Sequence, residues 1–171
     1  MPQKPSVPIK VIGKMNPGVA YTERHAVRAV LYNPASRQVA LIHIIKGNYY
    51  KLPGGGIEVD EDHCAAIKRE ILEETGCKVS VDNTAFFAQS EEWRNDLHQI
   101  SFCYSARLVE DTGRPELTDV ESSEGLSHSW VPVDRAISTI REVQPTSELG
   151  NFIQERDLFF IETFVSAQGG K

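Results

Sequence analysis

The chain has only three cysteines in 171 residues, Cys64, Cys77 and Cys103. Odd in number and widely separated, they supply neither a disulfide framework nor a zinc pattern, so a reducing, cytoplasmic setting is expected. Long apolar runs are also missing. No stretch approaches the roughly 18 apolar residues of a membrane span, and the opening MPQKPSVPIKVIG lacks the apolar core of a secretory signal. There is no block of lysine or arginine, and the formal net charge is −6. That argues against a nucleic-acid partner held through phosphate contacts, which needs a clustered positive surface, and none is expected. It does not exclude a small phosphorylated ligand, because a bound metal ion can supply the missing positive charge. Internal repeats and low-complexity segments are absent as well.

What is present is ordinary globular composition, 40% hydrophobic and 25% charged, at a length suited to one domain. Residues 1–22 read as an N-terminal extension punctuated by proline and glycine, with Val7–Ile12 a candidate edge strand. Residues 23–166 read as the single domain, and 167–171 as a flexible tail. His25–Tyr32 and Gln38–Ile45 have strand character and flank the turn signal Asn33-Pro34-Ala35-Ser36, which predicts an antiparallel hairpin. Tyr49–Pro53 forms a short strand leading into Gly54-Gly55-Gly56. Asp60–Asp62 offers helix N-cap chemistry, and Gly76 offers a helix stop. Ile67 and Ile71, with Cys64 and Ala66, mark the buried stripe of the helix between them. Lys78–Phe87, Gln99–Leu108 and Ser127–Val131 read as strands. Val109–Leu126 reads as an acidic loop of about 18 residues, long enough to suggest a functional role. Val133–Val143 and Ser147–Ser166 read as helices, the second with an apolar stripe of Leu149, Phe152, Ile153, Phe160 and Phe164. Strands flanked by three helices predict an α/β sandwich with a mixed sheet.

The chemistry concentrates in Gly54–Cys77, GGGIEVDEDHCAAIKREILEETGC. On a helix, Glu70 lies three residues before Glu73 and four before Glu74, so the three carboxylates share one edge. Exposed like charges at that spacing cost about 0.2–0.5 kcal/mol per pair. Either they form a solvated face, or a hard divalent cation sits among them, bound through oxygen. Arg69 is placed to reach back to Glu58 or Glu61 in a two-point ion pair. The glycines permit positive φ and close backbone approach. An isolated E-x-x-E-E is most often solvated surface, and a Gly-Gly-Gly run is most often only a turn.

The spacing of the whole set decides between these readings. Gly55, Glu61, Arg69, Glu70, Ile71, Glu73, Glu74, Gly76 and Cys77 resemble the Nudix box, G-x5-E-x7-R-E-U-x-E-E-x-G-U, at every defined position. Cys77 stands where a bulkier aliphatic residue is commoner. Ser129–Asp134 is similar to the W-V-P-L-D segment that precedes the last helices of that family. The resemblance implies a Nudix-type α/β/α sandwich around a mixed β-sheet. It also implies a hydrolase that cleaves a phosphoanhydride bond in a nucleoside diphosphate linked to a group X, using Mg²⁺ or Mn²⁺. On the same resemblance Glu70, Glu73 and Glu74 are metal ligands, with the Gly54 carbonyl a further one. Arg69 orients them against Glu61, and Gly55 and Gly76 are structural. The general base is expected to be Glu70 or Glu73, with Glu116, Asp119, Glu121 and Glu124 of the acidic loop as alternatives and Glu58 in reserve. Glu124 comes first among the loop acids because it lies just before the Trp130 strand. Tyr49, Tyr50 and Trp130 are candidate substrate contacts.

For X, a nucleoside triphosphate is expected from the small single domain with a short N-terminal extension. An oxidised purine is expected from the loose similarity of Val120–Glu124, followed by Trp130, to the base-reading loop of oxidised-purine triphosphatases. The alternatives are an ADP-sugar, a dinucleoside polyphosphate, or a nucleotide sensor without turnover. A monomer is slightly favoured. The structural reading leads for His25, His43 and His128, while His63 is expected to face solvent.

Overall fold

The computed structural model describes residues 6–169. Nine strands and four helices are found among them. The strands are β1 (Ile9–Ile12), β2 (Thr22–Asn33), β3 (Gln38–Ile44), β4 (Tyr49–Lys51), β5 (Gly54–Gly56), β6 (Cys77–Ser80), β7 (Phe86–Arg94), β8 (Leu97–Asp111) and β9 (Leu126–Pro132). The helices are α1 (His63–Thr75), α2 (Asp119–Ser123), α3 (Val133–Arg141) and α4 (Glu148–Gly169).

All nine strands join one mixed sheet in the order β1-β7-β8-β2-β3-β4, with β5 added to β2, β6 to β8 and β9 to β3. The pairs β1–β7 and β2–β8 are parallel, and the others are antiparallel. The nearly continuous apolar residues of β2 and β3 follow from cover on both faces. Side chains alternate between those faces. Val27, Ala29 and Leu31 pack with Ala66, Ile67 and Ile71 of α1. Val30 packs instead with Ala136 and Ile140 of α3 and Phe160, Ile161 and Phe164 of α4. Burying Ile67 or Ile71 contributes about 1.5–3 kcal/mol each, which anchors α1 and its carboxylates on the sheet.

Helix α1 starts at Asp62, whose side chain accepts the Ala65 N–H at 2.7 Å, as expected of an N-cap. It ends at Gly76, whose φ of +74° is left-handed. A Cβ there would lie 2.6 Å from the Arg114 backbone nitrogen. The close approach comes from the strap after β8. Thr112 N–H and hydroxyl both donate to the Gly76 carbonyl, and Glu116 N–H donates to the Glu73 carbonyl at 2.7 Å.

Several expectations change. The strand read over Lys78–Phe87 is interrupted: β6 ends at Ser80, a 3₁₀ turn covers Asn83–Ala85, and β7 starts at Phe86. Asp82 causes the break by accepting the Thr84 N–H at 2.8 Å, an Asx turn that competes with the ladder. The loop read over Val109–Leu126 is shorter, because β8 continues to Asp111 and α2 occupies Asp119–Ser123. Thr118 and Glu121 form a reciprocal capping box at the start of α2. That makes four helices rather than three. Strand β1 from the N-terminal extension lies at the sheet edge, and α4 continues through Gly169, past residue 167 where the tail was expected to begin. Residues 1–5 of the extension and 170–171 of the tail lie outside the described residues. His63 does not face solvent freely. Its Nδ1 is 2.9 Å from the Tyr104 hydroxyl, and its ring rests 4.5 Å from that of Phe102.

Candidate active site

The glycine strand β5 carries the site between two chemistries. Gly54, Gly55 and Gly56 pair antiparallel with Arg28, Val27 and Ala26 of β2. Gly54 has φ +145°, and a Cβ on it would strike the Val27 carbonyl, so only glycine fits. A Cβ on Gly55 would press against both oxygens of the Glu70 carboxylate. The bare backbone at Gly55 is therefore what lets α1 bring that carboxylate against the strand.

Arg69 organises the acids. Its Nε and Nη2 each donate to a different oxygen of Glu61 at 2.8 Å, Nη1 donates to Glu70 Oε1 at 2.9 Å, and Nη2 also reaches the Gly56 carbonyl at 3.1 Å. Glu73 Oε2 lies 3.6 Å from Nη1. Hydrogen bonding from Arg69 holds the Glu61 carboxyl below the usual range, and Glu61 in turn keeps Arg69 charged. Glu58 is mostly exposed, 3.8 Å from Arg69 Nε.

The other two box carboxylates differ sharply. Glu74 is 2% exposed, with Oε1 on Lys51 Nζ at 3.2 Å and Oε2 on the Gly54 N–H at 3.1 Å. Burial pushes its pKa up, and Lys51 opposes the rise. Glu73 is 41% exposed. Its pKa is raised by partial burial and then by the charge of Glu70, with Glu121 and Glu58 adding to it.

The donor chemistry at Glu70 and Glu73 is of the kind a hard divalent cation takes. All the donors are oxygen, the Glu70–Glu73 repulsion is only partly relieved by Arg69, and Glu73 opens to solvent. Among the described residues no group of three or more His, Cys, Asp or Glu side chains is gathered closely enough to hold a metal ion. Glu74, with both oxygens engaged, stands behind Glu70 and Glu73. The Gly54 amide is thus tied into the acidic set through Glu74.

The remaining candidates scatter. Glu121 Oε2 accepts the Thr118 N–H at 2.8 Å, yet its charge still reaches Glu73. Glu124 lies elsewhere, lining a cavity of about 260 Å³ with Lys46, Tyr49, Thr146 and Ser147. The Tyr49 phenol there is pushed above its usual pKa by burial and by Glu124. Tyr50 stacks on His43 at 4.4 Å. Trp130 packs against the apolar layer beneath α1. Glu116 contributes its backbone N–H, and Asp119 sits in the first turn of α2.

Sequence reading passed over Lys51, Arg28, Glu92, Arg156 and Asp157. Asp157 is fully buried, accepts the Leu52 N–H at 2.8 Å and pairs with Arg156. It thereby ties α4 to the segment that enters β5. The available signal was spacing: Arg156 and Asp157 fall between Ile153 and Phe160 on the buried face of α4.

A family model described as NUDIX domain matches residues 22–149. The chain belongs to the NUDIX family. Membership carries the reaction class, hydrolysis of a pyrophosphate bond in a nucleotide-type compound. No curated protein matches the chain. Solved structures with this fold include a MutT protein from Methanosarcina mazei Go1, 18% identical with a TM-score of 0.59, covering 88% of this chain and 99% of that one. A NUDIX hydrolase from Nitrosomonas europaea is 19% identical with a TM-score of 0.58, covering 83% and 91%. The ORF135 protein of E. coli is 14% identical with a TM-score of 0.57, covering 88% and 94%. At these identities they share the NUDIX fold with this chain. Among the described residues no helix is long and apolar enough to cross a membrane.

Proposed function

We propose that this NUDIX domain is a divalent-metal-dependent pyrophosphohydrolase acting on a nucleoside diphosphate linked to X, with a nucleoside triphosphate as the first candidate. The observation that carries this reading is the Gly55–Glu70–Arg69–Glu61 chain of contacts, which holds the box carboxylates on one edge of α1. Glu70 and Glu73 would hold the Mg²⁺ or Mn²⁺, with Glu74 behind them. Bound there, the ion supplies positive charge for the non-bridging phosphate oxygens and lowers the pKa of an attacking water.

The chain's own residues do the rest. Arg69 fixes the direction of Glu70 and Glu73, and Lys51 offsets the buried charge of Glu74. Of the two expected bases, Glu70 and Glu73, Glu73 is the better placed as proton acceptor from the water, being the box carboxylate most open to solvent. Glu58 and Glu121 are the acids outside the box whose charge reaches it, which places them ahead of Glu124. Tyr49, Lys46 and Glu124 offer a nucleotide-end contact.

The test is phosphate and pyrophosphate release with Mg²⁺ or Mn²⁺, run beside Glu73→Gln. The panel holds plain and oxidised nucleoside triphosphates, ADP-ribose, other sugar nucleotides and diadenosine polyphosphates. Metal-dependent turnover that the variant loses supports the hydrolase and names X. Nucleotide binding with no turnover anywhere in the panel would replace it with a sensor.

A further inference from the structure

On the sheet face opposite α1, a cavity of about 230 Å³ opens between β2, β7, β8 and α4. Its polar lining is unusual: four guanidinium groups, Arg24, Arg28, Arg94 and Arg156, face one carboxylate, Glu92, and one amide, Gln99. Arg156 is satisfied within the protein, by Asp157 and by Glu92 at 3.6 Å. Gln99 bridges Glu92 and Arg24, its amide donating to one and its carbonyl accepting from the other. Neither Arg24 nor Arg94 has an ion pair among the described residues.

Arg28 is only 6% exposed. Its Nη1 reaches the Val27 carbonyl at 3.1 Å, whereas Nε has no hydrogen-bond partner among the described residues. A buried guanidinium donor without an acceptor is uncommon in folded proteins and calls for an explanation. Burial lowers the Arg28 pKa to about 10, which still leaves it charged at neutral pH.

The position matters as much as the charge. A Cβ on Gly54 would lie 3.0 Å from Arg28 Nη1, and one on Gly56 would lie 3.0 Å from Arg24 Nη2. A Cβ on Gly55 would point to Glu70 instead. The outer two glycines of β5 therefore face the arginines and the middle one faces the acids, with one strand between them.

The geometry points to this cavity as an oxyanion subsite, taking a phosphate or carboxylate group on Arg24, Arg28 and Arg94. Planar guanidinium forks suit such groups with paired hydrogen bonds. Leu97, Leu149 and Ile153 also line the cavity and shield those bonds from water. As an extension of the hydrolase reading, the anion belongs to the X group of the substrate, held beside the metal-binding edge but on separate residues.

The test reads inorganic phosphate binding to the full chain by calorimetry, with chelator present so that no metal takes part. Wild type and Glu73→Gln should bind alike. Arg24→Met/Arg94→Met, changed at the mouth where folding is least at risk, should bind at least about tenfold more weakly. Arg28→Met should do the same if it folds, and the double variant decides if it does not. No phosphate binding by the wild type, or equal affinity in the double variant, overturns the proposal. A KM increase in the double variant that is larger for substrates whose X ends in phosphate than for a neutral X places the anion on the substrate. Equal increases place free phosphate there. Because binding is read without metal or turnover, an inactive protein that still binds phosphate through these arginines would refute the hydrolase reading alone. Turnover without phosphate binding would refute the subsite alone.

Discussion

Arg69 and Glu61 meet at two points, Nε and Nη2 each 2.8 Å from a separate oxygen of the same carboxylate. Glu61 lies outside α1, in the loop after β5, so this pair closes the glycine loop onto the helix. Because the guanidinium also holds Glu70, the position of that box carboxylate depends on a residue nine positions earlier in the chain.

Arg69→Lys keeps the charge and loses the fork. The expected result is a loss of about 1–2 kcal/mol in stability and about a hundredfold fall in kcat from misplaced carboxylates. Urea unfolding and steady-state kinetics on one preparation separate the two effects. A kcat near wild type would mean that Glu70 is positioned by other contacts.

Gly55→Ala should affect activity more than folding. The new methyl displaces the Glu70 carboxylate, a flexible group that can move at small cost in stability. A kcat reduced on the order of a hundredfold, with Tm within a few degrees of wild type, is expected. Equal and large losses of both would show that the strand itself had been displaced.

Asp157→Ala leaves Arg156 buried without its two-point partner and the Leu52 N–H without an acceptor. Removing one member of a buried pair costs about 3–5 kcal/mol. Denaturant midpoints should show that loss. Asp157→Asn, which retains an acceptor, should lose less. Equal losses would mean that the charge, rather than the hydrogen bonds, carries the contribution.

His63 makes stability depend on pH. Burial first, and then the nearby His25, hold its pKa below the ordinary 6.5, so the folded state disfavours the protonated ring. Its contribution is complete above pH 6.5 and is lost as the pH falls through the lower folded-state value. Between pH 7 and pH 5 the wild-type Tm should drop further than that of His63→Gln. Parallel curves would remove His63 from the acid sensitivity.

The box was legible because its spacing is local: Glu61, Arg69, Glu70, Glu73 and Glu74 lie within one loop and one helix, where 3.6-residue geometry decides who meets whom. The paired strands β2 and β3, the N-cap region of α1 and its Gly76 stop were legible for the same reason. The segment after β8 was not, since Thr112 and Glu116 are ordered by bonds to Gly76 and Glu73 some 36 and 43 residues away. Polar composition there resembled a loop, whereas its partners made it a strap.

By itself, then, the sequence determined the reaction class, the three-layer architecture and the identity of the acidic edge. Only the tertiary structure decided which acids differ: Glu74 is buried against Lys51 and Gly54, while Glu73 opens to solvent, although they are adjacent in the chain. It alone also gathered Arg24, Arg28, Arg94 and Arg156 from two strands and a helix into one cavity. The physical reason is that burial and charge pairing depend on what packs across the sheet, and neighbours in space from β2, β7 and α4 leave no periodic signature in any one segment.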